Sequence, residues 1–230
     1  ADDTTTITGI HQTRLTGLGE GGLISEDVTI DIHGNQTSSK RFIDRAVKTE
    51  TQVVDYPDSE TDEIAVSMNG LLRSSQNKTG VVVTYTYDDL GRQTGVMDPR
   101  TGKTSIFYHE NGWIDYMEDP AGNQTHYTYD PNTGQKIAET KPLGRITRYA
   151  YNSQGQVTHI WGGSVYPVKY SYDSFGRMTE MHTFRDGSGW DADTWPSGMD
   201  GSSDITRWHY QDATGLLLSK EDAKGFAVSY

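Results

Sequence analysis

Residues 85–103 read YTYDDLGRQTGVMDPRTGK, and this stretch decides the fold. Val83, Tyr85 and Tyr87 alternate with Thr84 and Thr86, the period of a strand with one aromatic face. Asp88-Asp89-Leu90-Gly91 supplies turn formers, with Gly91 free to take a positive φ. Residues 92–97 read as the return strand, and Asp98-Pro99-Arg100-Thr101-Gly102 turns the chain again. The stretch is therefore one β-hairpin, and successive hairpins of this kind continue one antiparallel sheet.

The phrase comes back as YTYDPNTGQKIAETKPLG at 127–144 and as YSYDSFGRMT at 170–179. Its second tyrosine, or the equivalent, falls at Tyr87, Tyr108, Tyr129, Tyr151 and Tyr172, at intervals of about 21 residues. It resumes at Tyr210 and Tyr230 after an interruption. Gly91, Gly112, Gly134, Gly155, Gly176 and Gly215 follow these tyrosines, and Gly102, Gly122, Gly144, Gly163 and Gly225 close the units. Tyrosines of neighbouring units are expected to stack across strands, each pair contributing about 0.2–1 kcal/mol. Residues 64–70 and 40–47 read as weaker copies. Residues 1–36 alternate (Val28, Ile30 and Ile32 on one face) but lack the tyrosine.

The fold expected is all-β: an antiparallel sheet of tandem hairpin repeats of about 21 residues, curved as an open barrel or shell segment. Residues 1–63 read as diverged N-terminal strands followed by an acidic loop, DYPDSETDE, at 55–63. Residues 64–230 read as the hairpins proper, with a Trp-rich insertion at 184–203.

Composition narrows the function. Among 230 residues 33% are hydrophobic, with 25 Gly and 14 Tyr, which suits short strands joined by Gly turns and argues against a helical bundle. A formal charge of −12 repels phosphates, so no nucleic-acid partner is expected. The absence of cysteine excludes disulfides, thiolate metal sites and a Cys nucleophile. No apolar run is long enough for a membrane-spanning helix, and no membrane insertion is expected. The start, ADDTTTITG, lacks the features of a signal peptide, and the chain stops part-way through a strand pattern at Phe226–Tyr230. A piece of a longer exported chain is the expectation.

No singular catalytic constellation stands out, and neither a cofactor nor a metal site is expected. The repeated Asp88, Asp130 and Asp173 are expected to accept backbone N–H groups in turns, because an active site does not recur every hairpin. Arg92 and Arg177 should pair with two of them. The histidines lack zinc-ligand spacing, there is no Gly-x-Ser-x-Gly elbow, and no phosphate-binding glycine loop precedes a helix. The rhythm breaks only at FRDGSGWDADTWPSGMDGSS, 184–203. Trp190 and Trp195, with Trp208 beyond, could stack on sugar rings while Asp191 and Asp193 accept hydroxyl hydrogen bonds. The plainer reading, which weighs more, is a surface insertion that folds a Trp or two over the sheet.

Tyr85-Thr-Tyr-Asp-Asp-Leu-Gly-Arg92, Tyr149-Ala-Tyr-Asn-Ser-Gln-Gly-Gln156 and Tyr170-Ser-Tyr-Asp-Ser-Phe-Gly-Arg177 resemble the YD-repeat, or Rhs-repeat, family. The resemblance covers residues 64–230 well and the first third by extension. It implies hairpins forming a long sheet that spirals into a hollow shell. In bacterial Rhs proteins and insecticidal toxin complexes such a shell surrounds a C-terminal toxic segment; in teneurins a similar barrel serves adhesion. The aspartyl self-cleavage of bacterial shells is not implied, because Asp98 and Asp119 sit inside ordinary repeats. The function expected is thus a non-catalytic scaffold segment of a secreted or cell-surface bacterial protein. Its partners would be the remaining repeats and a toxin or cargo segment of the parent chain. The alternative is a cell-surface adhesion or carbohydrate-binding module that meets glycans or a surface protein through the Trp-rich loop.

Overall fold

The computed structural model describes residues 7–12, 22–31, 33–163, 165–184, 191–196 and 203–230. Among them there are nineteen β-strands, one three-residue 3₁₀ turn at Pro142–Gly144 and no α-helix, so no helix is long and apolar enough to cross a membrane. The chain forms two compact units, residues 1–107 with 118–122 and residues 108–117 with 123–230.

The strands in the first half of the chain are β1 (Ile7–Gln12), β2 (Gly22–Ile30), β3 (Gln36–Asp44), β4 (Thr49–Asp55), β5 (Glu63–Met68), β6 (Leu71–Gln76), β7 (Val82–Tyr87), β8 (Gln93–Asp98) and β9 (Gly102–Tyr108). Those that follow are β10 (Ile114–Glu118), β11 (Gln124–Tyr129), β12 (Lys136–Lys141), β13 (Arg145–Tyr151), β14 (Val157–Trp161), β15 (Val168–Tyr172), β16 (Met178–Phe184), β17 (Ser203–Tyr210), β18 (Leu217–Glu221) and β19 (Ala227–Ser229). From β1 to β9 each strand pairs antiparallel with the next. The same holds from β11 to β19. The tandem-hairpin, all-β expectation is what the structure contains.

Hydrophobic burial is thin. Among the described residues the buried apolar side chains are Ala138 and Phe184, at 3% and 4% exposure, and Pro167. Stability must then lean on the hydrogen-bonded ladder and on contacts that reinforce it. The tyrosines supply one such contact. Opposite the second tyrosine the return strand carries one extra residue, a β-bulge: Tyr87 faces Gln93 while Thr86 faces Gly95, and the same skip occurs at Tyr129, Tyr151, Tyr172 and Tyr210. Ser67 keeps the skip without the tyrosine, facing Leu72 while Val66 faces Ser74. A bulge breaks the ladder locally and turns a carbonyl away from its usual partner. The tyrosine of the following hairpin reaches it. Tyr87 Oη donates to Leu72 O (2.8 Å), Tyr151 to Lys136 O (2.6 Å), Tyr172 to Val157 O (2.8 Å) and Tyr210 to Met178 O (2.9 Å). The acceptor lies 15 residues back in three of these and 32 back for Tyr210, so the insertion is bypassed with the contact intact.

This differs from the ring-on-ring stacking that the repeat predicts. The aromatic faces meet cations instead: Lys136 Nζ lies over both Tyr127 (5.3 Å) and Tyr149 (4.9 Å), Arg73 over Tyr87 (5.1 Å) and Arg177 over Tyr210 (4.7 Å). At these four tyrosines the hydroxyl ties one hairpin to an earlier one, whereas Tyr129 packs its ring on Trp113 (5.2 Å). Tyr172→Phe should accordingly lower unfolding free energy by about 1 kcal/mol, the cost of leaving the Val157 carbonyl unpaired. Tyr230→Phe, at an exposed tyrosine, is the control. Equal urea midpoints for the two variants would refute the assignment.

In the first unit a bidentate pair joins neighbouring strands. Arg41 donates through Nε and Nη2 to Glu50 (2.9 and 2.8 Å), and Gln52 adds a third bond. The Arg41 guanidinium, then Gln52, holds the Glu50 carboxyl down to about 2, from an ordinary value of 4.5. Arg100 does the same to Asp98, also about 2. A folded-state pKa below the unfolded one gives stability that is complete above the unfolded value and lost as pH falls toward the folded one. Urea stability should therefore decline between about pH 4.5 and pH 2, and the decline should be shallower in Glu50→Gln. An identical slope in that variant would show that Glu50 plays no part.

Candidate functional site

The repeated aspartates serve the turns. Asp88 Oδ1 accepts the N–H groups of Leu90 (3.0 Å) and Arg92 (2.9 Å), and Oδ2 accepts Arg92 Nε (2.7 Å). Asp173 repeats this with Phe175, Arg177 and the Arg177 guanidinium at 2.9, 2.9 and 2.6 Å. Burial pulls the Asp173 carboxyl up, but the Arg177 backbone N–H and side chain together hold it below the usual carboxylate range. Asn152 and Gln156 perform the neutral version, with two N–H bonds at 3.0 Å and an amide–amide bond at 3.0 Å. Asp130 accepts Asn132 and Thr133 in a turn one residue longer. Each of these repeated aspartates is committed to its own turn.

The interruption is where side chains from distant sequence converge. Trp190, with Asp186 and Asp200, lies outside the described residues. Residues 191–196 lie against β13, β14 and β16. The Trp195 ring meets His159 edge-on at 4.5 Å, Trp161 at 6.0 Å and Phe184 at 5.7 Å. Arg148 Nε donates to Ala192 O (3.0 Å), and its Nη2 pairs with the Asp193 carboxylate. Asp191 folds the segment locally, accepting Asp193 N–H (2.8 Å) and the Thr194 hydroxyl (3.3 Å). Trp208 stands apart on β17, opposite Lys220, whose ammonium lies over its ring at 5.3 Å.

The geometry thus brings together Trp195, Asp191 and Asp193 of the sequence-derived set, with both aspartates exposed. Trp195 presents its ring to the sheet, and both carboxylates are bonded to protein. The receiving residues, Arg148, His159, Trp161 and Phe184, were not singled out from the sequence. Their one signal is the alternation of His159 and Trp161 on one strand face. Among the described residues no group of three His, Asp or Glu side chains could hold a metal ion.

Beside this segment β16, β17 and β18 share an ionic ladder. His182, 9% exposed, bonds Ser203 Oγ through Nδ1 (3.0 Å) and Glu180 through Nε2 (3.1 Å). Glu180 also accepts Arg207 Nε (3.1 Å), and the His182 bond, ahead of opposing burial and then Arg207, holds its carboxyl below the ordinary value. Glu221 continues the ladder to Arg207 (3.8 Å) and His209 (3.4 Å). These groups fix strand register at the point where the insertion leaves and rejoins the sheet.

An antiparallel array of tandem hairpins, four of them bonded to an earlier one through a bulge carbonyl, is the class of architecture defined here. No family model matches the chain, and no curated protein matches it. Among solved structures it is similar to TcdB2-TccC3-Cdc42, at 16% identity and a TM-score of 0.56, over 94% of this chain and 14% of that one. It is likewise similar to TcdB2-TccC3-TEV (13% identity, TM-score 0.55, 88% and 15% covered). TcdB2-TccC3 without its hypervariable C-terminal region gives 14% identity and a TM-score of 0.53, with 88% and 15% covered. The likeness is one of fold, and this chain spans at most 15% of the length of these structures.

Proposed function

We propose that the chain is a non-catalytic wall segment of a larger exported bacterial protein that encloses or displays a cargo polypeptide of the same parent chain. The observation that supports this reading is the likeness in fold to the TcdB2-TccC3 structures, which runs over nearly all of this chain and a small part of theirs. The side-chain chemistry agrees with a structural role. The repeated tyrosines bond to backbone, and the repeated aspartates are committed to turns. A wall that holds another polypeptide gains from such regular bonding and needs no turnover of its own.

The test uses the whole parent reading frame, purified and treated with proteinase K under native conditions. A segment outside the hairpins should survive in the intact protein. It should be digested once the sheet is opened by Gly162→Ala, a substitution argued below. Equal digestion rates in the two proteins would sink the enclosing role.

A further inference from the structure

The second unit holds an open groove of about 770 Å³ away from the Trp195 segment, lined by His109, Glu110, Trp113, Asp115, His126 and Tyr129 among others. We infer that this groove is a binding subsite for a neutral pyranose, one residue of a glycan. The inference stands independently of the scaffold role.

The groove begins in a turn. Gly112 N–H bonds His109 O (2.9 Å), His109 N–H bonds Trp113 O (2.8 Å), and Asn111 Oδ1 accepts the Trp113 N–H (3.1 Å). These bonds fix the backbone that carries the indole. The indole itself packs on Tyr129, centroids 5.2 Å apart and tilted by 35°. Its far edge lies against Gly134, where even a Cβ would come within 3.1 Å of Trp113 Cζ2. The ring is therefore held in one orientation before any ligand arrives, which lowers the ordering cost of binding. A flat, fixed aromatic face suits the C–H face of a sugar ring.

Polar groups surround that face. Asp115 lies 3.5 Å from His109 Nε2, and both side chains remain substantially open, at 39% and 44% exposure. His126 stacks on Tyr116 at 5.0 Å and bonds Gln124 at 3.2 Å, presenting the rest of its ring to the groove. Carboxylates and imidazoles at the rim of an aromatic floor match the hydroxyls of a pyranose, and the volume falls within the usual range for small-ligand sites. Glu110 and Asp115 give the rim negative charge, which turns away carboxylated, sulfated or phosphorylated sugars. The ligand class is thereby narrowed to neutral pyranoses.

The experiment titrates the whole chain with cellobiose, maltose, chitobiose, lactose and sialyllactose. It follows the indole N–H signals of the five tryptophans, with Trp113→Phe assigning one of them. At least one neutral sugar should shift the Trp113 signal and leave the Trp195 signal in place. Trp113→Ala and Asp115→Asn should each weaken that binding about tenfold or more. Asp115 is open enough for its substitution to leave the circular dichroism unchanged. Failure of every neutral sugar to move the Trp113 signal would overturn the inference. So would native affinity in Asp115→Asn and Trp113→Ala, or sialyllactose binding as well as lactose.

Discussion

Gly162→Ala should destabilise the protein by about 3 kcal/mol or more, the largest effect expected of any single methyl group here. Gly162 sits just past the end of β14 with φ +132, a conformation that L side chains rarely adopt. A Cβ there would overlap the Ile146 carbonyl oxygen and approach Thr147 Cα to 3.1 Å, so backbone rather than a pliable side chain must yield. The neighbouring glycine makes the control. A Cβ on Gly163 would meet only Ala192 Cβ at 3.9 Å, an ordinary contact, and its φ lies outside the left-handed region. Gly163→Ala should therefore stay within about 0.5 kcal/mol of native. Urea denaturation of the two variants settles the matter, and equal midpoints would refute the steric account.

Phe184→Ala should cost about 3 kcal/mol, toward the lower end for loss of a buried aromatic because the layer around it can collapse. Phe184 is the largest buried apolar side chain among the described residues, and it supports the Trp195 ring. The substitution should also make Trp195 more accessible to iodide quenching, with Trp195→Phe used to assign the change. Phe184→Leu should lose less than half as much stability. A Phe184→Ala loss below about 1 kcal/mol would mean that the 191–196 segment is not seated on this residue.

Strand alternation and the Asp/Gly turns were legible in residues 85–103 because both are local. Period-2 patterning sets the face, and Gly is needed where φ turns positive, as at Gly91 (φ 78). The same turn recurs at Asp31–Asn35. Asp31 Oδ1 there accepts the N–H groups of His33 (2.8 Å) and Asn35 (2.9 Å), as Asp88 does, though no tyrosine precedes it. At this turn the Asp-x-x-Gly spacing persists where the tyrosine is absent.

The task of the tyrosine was less legible. Its sequence position shows a ring and a hydroxyl, and only the bulge on the preceding hairpin shows which one is used. A bulge is a count of residues between two strands, which one strand cannot display. Trp195 poses the same problem over a longer distance. Its neighbours Asp191 and Asp193 suggest an outward binding loop, whereas its orientation is set by His159, Trp161 and Arg148, far back in the chain. Trp113 falls inside a regular unit, so nothing in the repeat sets it apart.

The hydroxyl-to-bulge bond has a consequence for how such a chain changes length. The hairpins of Tyr151 and Tyr172 each carry both a donor and an acceptor, and the donors Tyr87, Tyr151 and Tyr172 each reach back by a single hairpin. Duplicating a whole unit creates one new bond of the same kind and disturbs none already present, while a duplication of half a unit leaves a donor facing the wrong strand. Genes of this type are therefore expected to grow and shrink in whole-hairpin steps. Tyr210 shows the complementary freedom, since its bond to Met178 tolerates added residues between strands as long as the strands still meet.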